Sequence, residues 1–423
     1  MSRAVLERLS CGTAVLCDRM EGMESVAVGV WVPSGGRHEP GRLQGVSHFL
    51  EHMLFKGTGR RSARQISEAI EGIGGTLNGF TSEECTCFLA RVRKTHLEDA
   101  IDVLLEMVTA PRLDPAEIDK EKGVILEELR MYRDNPAYHI HEMIQSVMWA
   151  GQPLGRSLLG TPGTIAAMKR EDIAAYHRRS YAPSRISVVA CGALQPGEVV
   201  RLVGERMGEG SPRRLRGPVR AVFNRTRDRV AVDTRQVEQV NLAFGFPGYS
   251  RGHPDRQALI LLSIILGGNM SSRLFQEVRE KRGWVYSIRS ETDTYRDGGA
   301  LVFTAGLPPE KVGPTVKVIR RILAGIGERR ISARELTRAR EYYLGQKALS
   351  MEGTSSRMLW LGGNLCCADK VMTPEQVFRN INRVTSEDIV RVANRVFRPG
   401  RSCAALIGPP ESAGLTPDEL LPT

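Results

Sequence analysis

Apolar residues recur along this chain with two different periods, and the two alternate in blocks. Val26 to Val32, Cys85 to Val92, Val240 to Phe246 and Ala300 to Ala305 are short apolar runs rich in β-branched and aromatic side chains, which predicts strands. His96 to Val108, Ala116 to Tyr132, Pro309 to Ile326 and Ala333 to Met351 carry their apolar residues at helical intervals. Short strands interleaved with long amphipathic helices predict an α+β fold, with helices packed on one face of a mostly antiparallel sheet.

The blocks also repeat. Glu171 to Gly192 (EDIAAYHRRSYAPSRISVVACG) and Glu387 to Gly408 (EDIVRVANRVFRPGRSCAALIG) align without gaps. Each reads as a capped helix, a Pro-marked turn and a buried strand. Leu113 to Ile118 resembles Ile331 to Leu336, each opening a long helix. The repeat predicts two homologous domains, 1–206 and 229–423. Residues 207–228, MGEGSPRRLRGPVRAVFNRTRD, are rich in Gly, Pro and Arg and lack an apolar period, so they read as a linker.

Composition narrows the class further. A chain of 423 residues that is 41% hydrophobic can bury substantial cores. No stretch reaches the roughly 18 uncharged apolar residues of a membrane-spanning helix, and charges interrupt the first twenty residues where a signal peptide would be apolar. A cytoplasmic protein with no membrane partner is expected. The eight cysteines show no CxxC spacing and sit among apolar neighbours, as small buried hydrophobes do. The formal charge of +11 is spread along the chain beside nearly as many acids, so no nucleic-acid partner is expected.

One segment carries distinct chemistry. In Val46 to Phe55, VSHFLEHMLF, apolar residues recur at helical intervals, and His48 and His52 are four apart. On a helix both imidazoles leave one face and can fill two corners of a tetrahedral zinc site, with Glu51 in reach of a water at the open corner. This is HxxEH, the inverted metalloprotease motif. A catalytic zinc needs a third protein ligand. Glu121 to Leu129, EKGVILEEL, offers one, and Glu121 and Glu128 share a helical face that Glu127 does not. Glu128 as ligand and Glu121 as a partner behind the ligands is the consistent assignment. The second half has no matching set, because Asp255 to Leu266 contains neither His nor Glu and the counterpart of Glu128 falls near Gln346. One metal per chain is expected. Gly267-Gly268-Asn269 lacks a following GK[ST] and reads as a turn between helices.

These segments, with NGFTSEECT (78–86), LGRSLLGT (154–161) and SSRLFQEVREKRGWVYSI (271–288), resemble the pitrilysin/insulinase (M16) family of zinc peptidases. The similarity is to its short branch related to mitochondrial processing peptidase, and it covers essentially the whole chain. The resemblance implies a zinc metalloendopeptidase acting on unfolded peptides or presequence-like segments. The family's third ligand lies about 76 residues after the second His, which lands on Glu128, and Glu121 matches its accessory acid. An edge strand matching Asn78 to Glu84 pairs with the substrate backbone, which implies substrate contacts from Asn78, Phe80, Thr81, Ser82 and Glu84. Gly79 stands where Ala is usual, with little effect expected. An Arg and a Tyr of the second domain that contact the substrate carbonyl map onto Arg279 and Tyr286. The short branch builds a closed chamber from two chains, so a homodimer is expected, a heterodimer with a metal-free subunit being the alternative. Degenerate relatives act as non-catalytic subunits, a role that has no need of Glu51.

Overall fold

The period-two runs form strands covered on both faces. The computed structural model describes residues 4–207, 218–224, 229–328, 331–368, 372–410 and 415–422. Its first half contains β1 (Val5–Arg8), β2 (Ala14–Arg19), β3 (Ser25–Val32), α1 (Val46–Leu54), α2 (Ala63–Glu71), β4 (Thr76–Thr81) and β5 (Thr86–Arg93). There follow α3 (Leu97–Thr109), α4 (Pro115–Asp134), α5 (Pro136–Met148), α6 (Pro162–Ala167), α7 (Arg170–Ser180), β6 (Ser187–Gly192) and α8 (Pro196–Met207). The second half contains β7 (Val230–Thr234), β8 (Val240–Pro247), α9 (Arg256–Gly267), β9 (Ser287–Thr294), β10 (Gly299–Leu307) and α10 (Val312–Glu328). It ends with α11 (Ala333–Ser350), α12 (Thr354–Ala368), α13 (Pro374–Arg383), α14 (Ser386–Val396), β11 (Cys403–Gly408) and α15 (Pro417–Leu420).

The strands make two sheets, ordered β1-β2-β6-β3-β5-β4 and β7-β11-β8-β10-β9. All neighbours are antiparallel except β2 with β6 and β7 with β11. The aligned segments occupy matching places, since α7 leads into β6 and α14 into β11, each strand inserted between a parallel and an antiparallel neighbour. The fold is α+β with two homologous sheets, as the repeat implies. β4 closes one end of the first sheet and β9 one end of the second.

Strand β3 shows how the first sheet is buried. Val26, Val28, Val30 and Val32 enter one core with apolar residues of α1, α3, α7 and α8, among them Phe49, Leu104, Ile173 and Val199. Ala27 and Trp31 point the other way and pack against Met358, Leu361 and Leu365 of α12. The alternation is the pleat of the strand itself. Helices thus cover one face as a layer, and a single helix covers the other.

That single helix comes from the far half of the sequence. The two compact units are Met1–Leu129 with Arg156–Val219 and Ala348–Met372, and Arg130–Gly155 with Arg220–Lys347 and Thr373–Thr423. The expected boundaries at 206 and 229 follow the duplication, but the packing crosses them twice. Helix α12 lies on β3 and β6, while α5 lies on β8 and β11. Glycines make room for both helices: a Cβ on Gly29 would stand 2.3 Å from the Met358 sulfur, and one on Gly245 2.3 Å from the Met148 sulfur. Of the expected linker, residues 208–217 and 225–228 lie outside the described residues.

Candidate metal centre

Helix α1 presents the candidate ligands. Its first turn is held by buried Glu39, whose carboxylate accepts from the amides of Gly45 (2.7 Å) and Ser47 (2.7 Å), a capping contact favoured at a helix N-terminus. Its apolar side, Phe49, Leu50 and Met53, is fully buried in the first core, which turns the opposite side toward α4. His48 and His52 stand there with ring centroids 4.5 Å apart.

Helix α4 supplies the acids. Glu128 Oε2 lies 3.6 Å from His48 Nε2 and 3.6 Å from His52 Nε2, and the three ligand atoms lie within 4.8 Å of one another. Zinc bound at 2.0–2.1 Å in tetrahedral geometry sets its ligands about 3.3–3.4 Å apart, so the two histidine–Glu128 distances lie within a few tenths of an ångström of a zinc site, and the third edge of the triangle is no longer than 4.8 Å. Glu127 is exposed on the other side of the helix.

The protonation states suit the same role. Burial, with the neighbouring His52, holds His48 down to about 3, so its imidazole stays neutral. Burial lowers the pKa of His52, but a hydrogen bond to Glu121 together with the charges of Glu121, Glu128 and Glu51 outweighs it and raises the net value. Glu121 Oε1 lies 2.8 Å from His52 Nδ1 and its Oε2 2.6 Å from Lys56 Nζ. Accepting at Nδ1, the carboxylate directs the Nε2 lone pair toward Glu128. Lys56 had escaped the sequence reading, although it follows His52 by one helical turn.

Glu51 is nearly buried and its pKa is raised, chiefly by burial, against a hydrogen bond from Thr81. Thr81 Oγ1 donates to Glu51 Oε2 at 2.6 Å. A methyl on Gly79 would stand 3.2 Å from both Glu51 Cγ and Glu51 Oε1 and 3.1 Å from Phe55. The missing Cβ leaves room beside the carboxylate.

The other residues expected at the substrate have different surroundings. Asn78 is exposed on edge strand β4. Phe80 packs edge-on against Trp31 at 5.6 Å. Ser82 closes the turn after β4, donating to the Cys85 carbonyl (2.9 Å) and accepting from its amide (3.1 Å). Glu84 is buried in an ion pair with Arg37 at 2.7 Å, which ties the turn after β4 to the segment that precedes α1. In the second unit, Arg279 and Tyr286 come together. The Arg279 guanidinium lies 4.8 Å over Phe275 and 6.0 Å over Tyr286, and Tyr286 is 78% exposed just before β9. Arg279 belongs to a π-helical turn, Phe275–Glu280, a geometry frequent at functional sites.

Comparison with known proteins places the chain in a family. Residues 14–162 match "Insulinase (Peptidase family M16)" and residues 167–343 match "Peptidase M16 inactive domain". A Bacillus subtilis protein described as an uncharacterized zinc protease is 34% identical, over 96% of this chain and 98% of its own. One from Streptomyces coelicolor, described likewise, is 36% identical over 94% of this chain and 88% of its own. A solved protease from Helicobacter pylori shares the fold, with a TM-score of 0.89 at 21% identity over 97% of this chain and 100% of that one. The chain belongs to the M16 peptidase family. Among the described residues, the second unit holds no group of three close metal-ligating side chains.

Proposed function

We propose that this chain is a zinc-dependent endopeptidase acting on unfolded or presequence-like peptides, with one zinc held by His48, His52 and Glu128. The observation that carries the reading is the triangle of ligand atoms beside a nearly buried Glu51. Zinc bound there would polarise the scissile carbonyl and lower the pKa of a water at the open coordination position. Glu51 takes a proton from the attacking water and delivers it to the leaving amine. Its raised pKa brings it closer to the working pH of such a shuttle, and Thr81 fixes its orientation. Glu121 and Lys56 hold His52 in its ligating orientation.

Substrate enters as an added strand on the free edge of β4, with main-chain hydrogen bonds giving affinity. Arg279 and Tyr286 offer a cation and a phenol for the developing oxyanion, supplied by the partner chain of a homodimer. The exposed Tyr286 ring, beside the Arg279 guanidinium, supports that part. A heterodimer with a metal-free subunit has less reason to keep both residues on the chain that carries the zinc ligands.

The test is hydrolysis of a quenched, unstructured basic peptide by wild type and Glu51→Gln, with metal content measured on both. General acid–base catalysis contributes about 10²–10⁴-fold, so the variant is expected to lose that much while keeping the zinc of the histidine site. Wild type that folds, binds no zinc and cuts nothing would sink the proposal.

A further inference from the structure

The cysteines are buried among apolar neighbours, as expected of them. All eight are buried, and the sulfur atoms of three converge. Cys85 closes the turn after edge strand β4, while Cys366 and Cys367 lie near the C-terminal end of α12. Their sulfur atoms all lie within 4.8 Å of one another. Consecutive helical residues leave the axis about 100° apart, so a neighbouring pair ordinarily diverges, yet here both thiols meet one cysteine from a distant segment. Apolar packing asks only that each side be filled and gives no reason for sulfur to gather on sulfur.

The setting is that of an enclosed ligand set. Cys85, Cys366 and Cys367 are 5%, 7% and 6% exposed, within the core that joins Trp31, Cys87, Cys191 and Leu365. The turn that carries Cys85 is preordered: the Ser82 hydroxyl bonds its carbonyl and amide and lies 3.3 Å from its sulfur. Zinc–thiolate bonds of 2.3 Å place sulfurs about 3.8 Å apart, so closing the triangle on a cation takes a contraction of at most about 1 Å.

We infer that Cys85, Cys366 and Cys367 form a second metal site, distinct from the histidine site, for a soft thiophilic d¹⁰ cation. Thiolates select Cu⁺ and Zn²⁺ over harder ions. Binding converts three thiols to thiolates and releases three protons per cation. The occupied site ties the β4–β5 turn to α12 and so fixes the hairpin whose outer strand is the free sheet edge.

The experiment uses the full chain, stripped of metal, reduced and kept anaerobic, then titrated separately with Cu⁺ and with Zn²⁺. Wild type should bind one Cu⁺ with thiolate-to-metal charge-transfer absorption and sulfur-only coordination by X-ray absorption, or take up a second Zn²⁺ equivalent; the two arms tell which ion the site holds. His48→Ala should retain this signal. Cys85→Ala and Cys366→Ser should each lose it while retaining the histidine-site zinc, which also reports that they fold. Cys87→Ala, on the same face but outside the triangle, should retain both. A reduced, folded wild type that shows neither the Cu⁺ signal nor a second Zn²⁺, or a signal that survives Cys85→Ala, overturns the inference. So does a Cys85 disulfide found in protein that takes up no second metal.

Discussion

Glu121 makes two contacts that no ligand list would include, to His52 Nδ1 at 2.8 Å and to Lys56 Nζ at 2.6 Å. Partners of this kind set ring orientation and ligand basicity, and their loss typically costs 10–100-fold in metal affinity. Glu121→Gln is therefore expected to weaken zinc binding by about that factor in competition with a chelator, with the fold intact; an unchanged affinity would remove Glu121 from the site. A second residue-scale prediction concerns stability. Asp102 is partly buried, which raises its pKa, but hydrogen bonds from Arg61 (2.7 Å) and Arg206 (3.0 Å) outweigh this and hold it below the usual carboxylate value. A depressed folded pKa contributes stability above the unfolded value of about 3.9 that is lost as pH falls through the folded one. Asp102→Asn should cost about 1 kcal/mol at neutral pH and flatten the acid limb of stability against pH. A variant whose acid limb matches wild type would show that the arginines do not hold this proton off. Much of the site was legible at this scale because ligand spacing on one helix is a local property: His48, Glu51 and His52 need only the 3.6-residue period, and Glu128 over Glu127 follows from the same period relative to Glu121. The ion pair that buries Glu84 was not legible, because its partner, Arg37, lies 47 positions away, where no periodicity reaches.

At the scale of elements, the strands and long helices read from their own periods were legible to within a residue or two, as in β3, α3 and α11. Two features were not. Position 309 starts a single 3₁₀ turn, Pro309–Lys311, and the α-helix begins at Val312. The partner of α12 was hidden because an apolar helix face does not say which sheet it will cover. Contact between α12 and β3 is close enough to test. A Cβ on Gly362 would stand 2.1 Å from the Trp31 ring, whereas one on the adjacent Gly363 would be 4.0 Å from it. Overpacking of this kind costs about 1–3 kcal/mol, while Gly to Ala in a helix gains up to about 1 kcal/mol where there is room. Gly362→Ala should lower the midpoint of denaturant unfolding, and Gly363→Ala should leave it unchanged or raise it. Equal effects at the two positions would contradict the contact as described.

At the scale of the molecule, duplication and packing divide the chain differently. The repeat places a boundary in 207–228, yet Ala348–Met372 belongs to the first unit and Arg130–Gly155 to the second. A chain cut at the sequence boundary would leave the first sheet without α12, exposing Leu16, Trp31, Val189 and the cysteines beside them. It would also leave the second sheet without α5, so that Ile140, Ile144 and Met148 lose the strand residues Ala243, Val302 and Ala405 they pack against. Exposed apolar faces of that size drive association or aggregation, and neither fragment keeps a complete core. Expressed alone, 1–217 and 218–423 are each expected to be insoluble or rapidly proteolysed. Expressed together, they should co-purify as one complex that regains the zinc content of the intact chain, since α12 and α5 can each reach their own sheets across the cut. A fragment 1–217 that unfolds cooperatively by itself, with Trp31 shielded from solvent as in the intact chain, would show that the exchanged helix is an accessory to a self-sufficient domain. Failure of the paired fragments to assemble would show that the covalent connection, and not the exchange of helices, holds the two cores together.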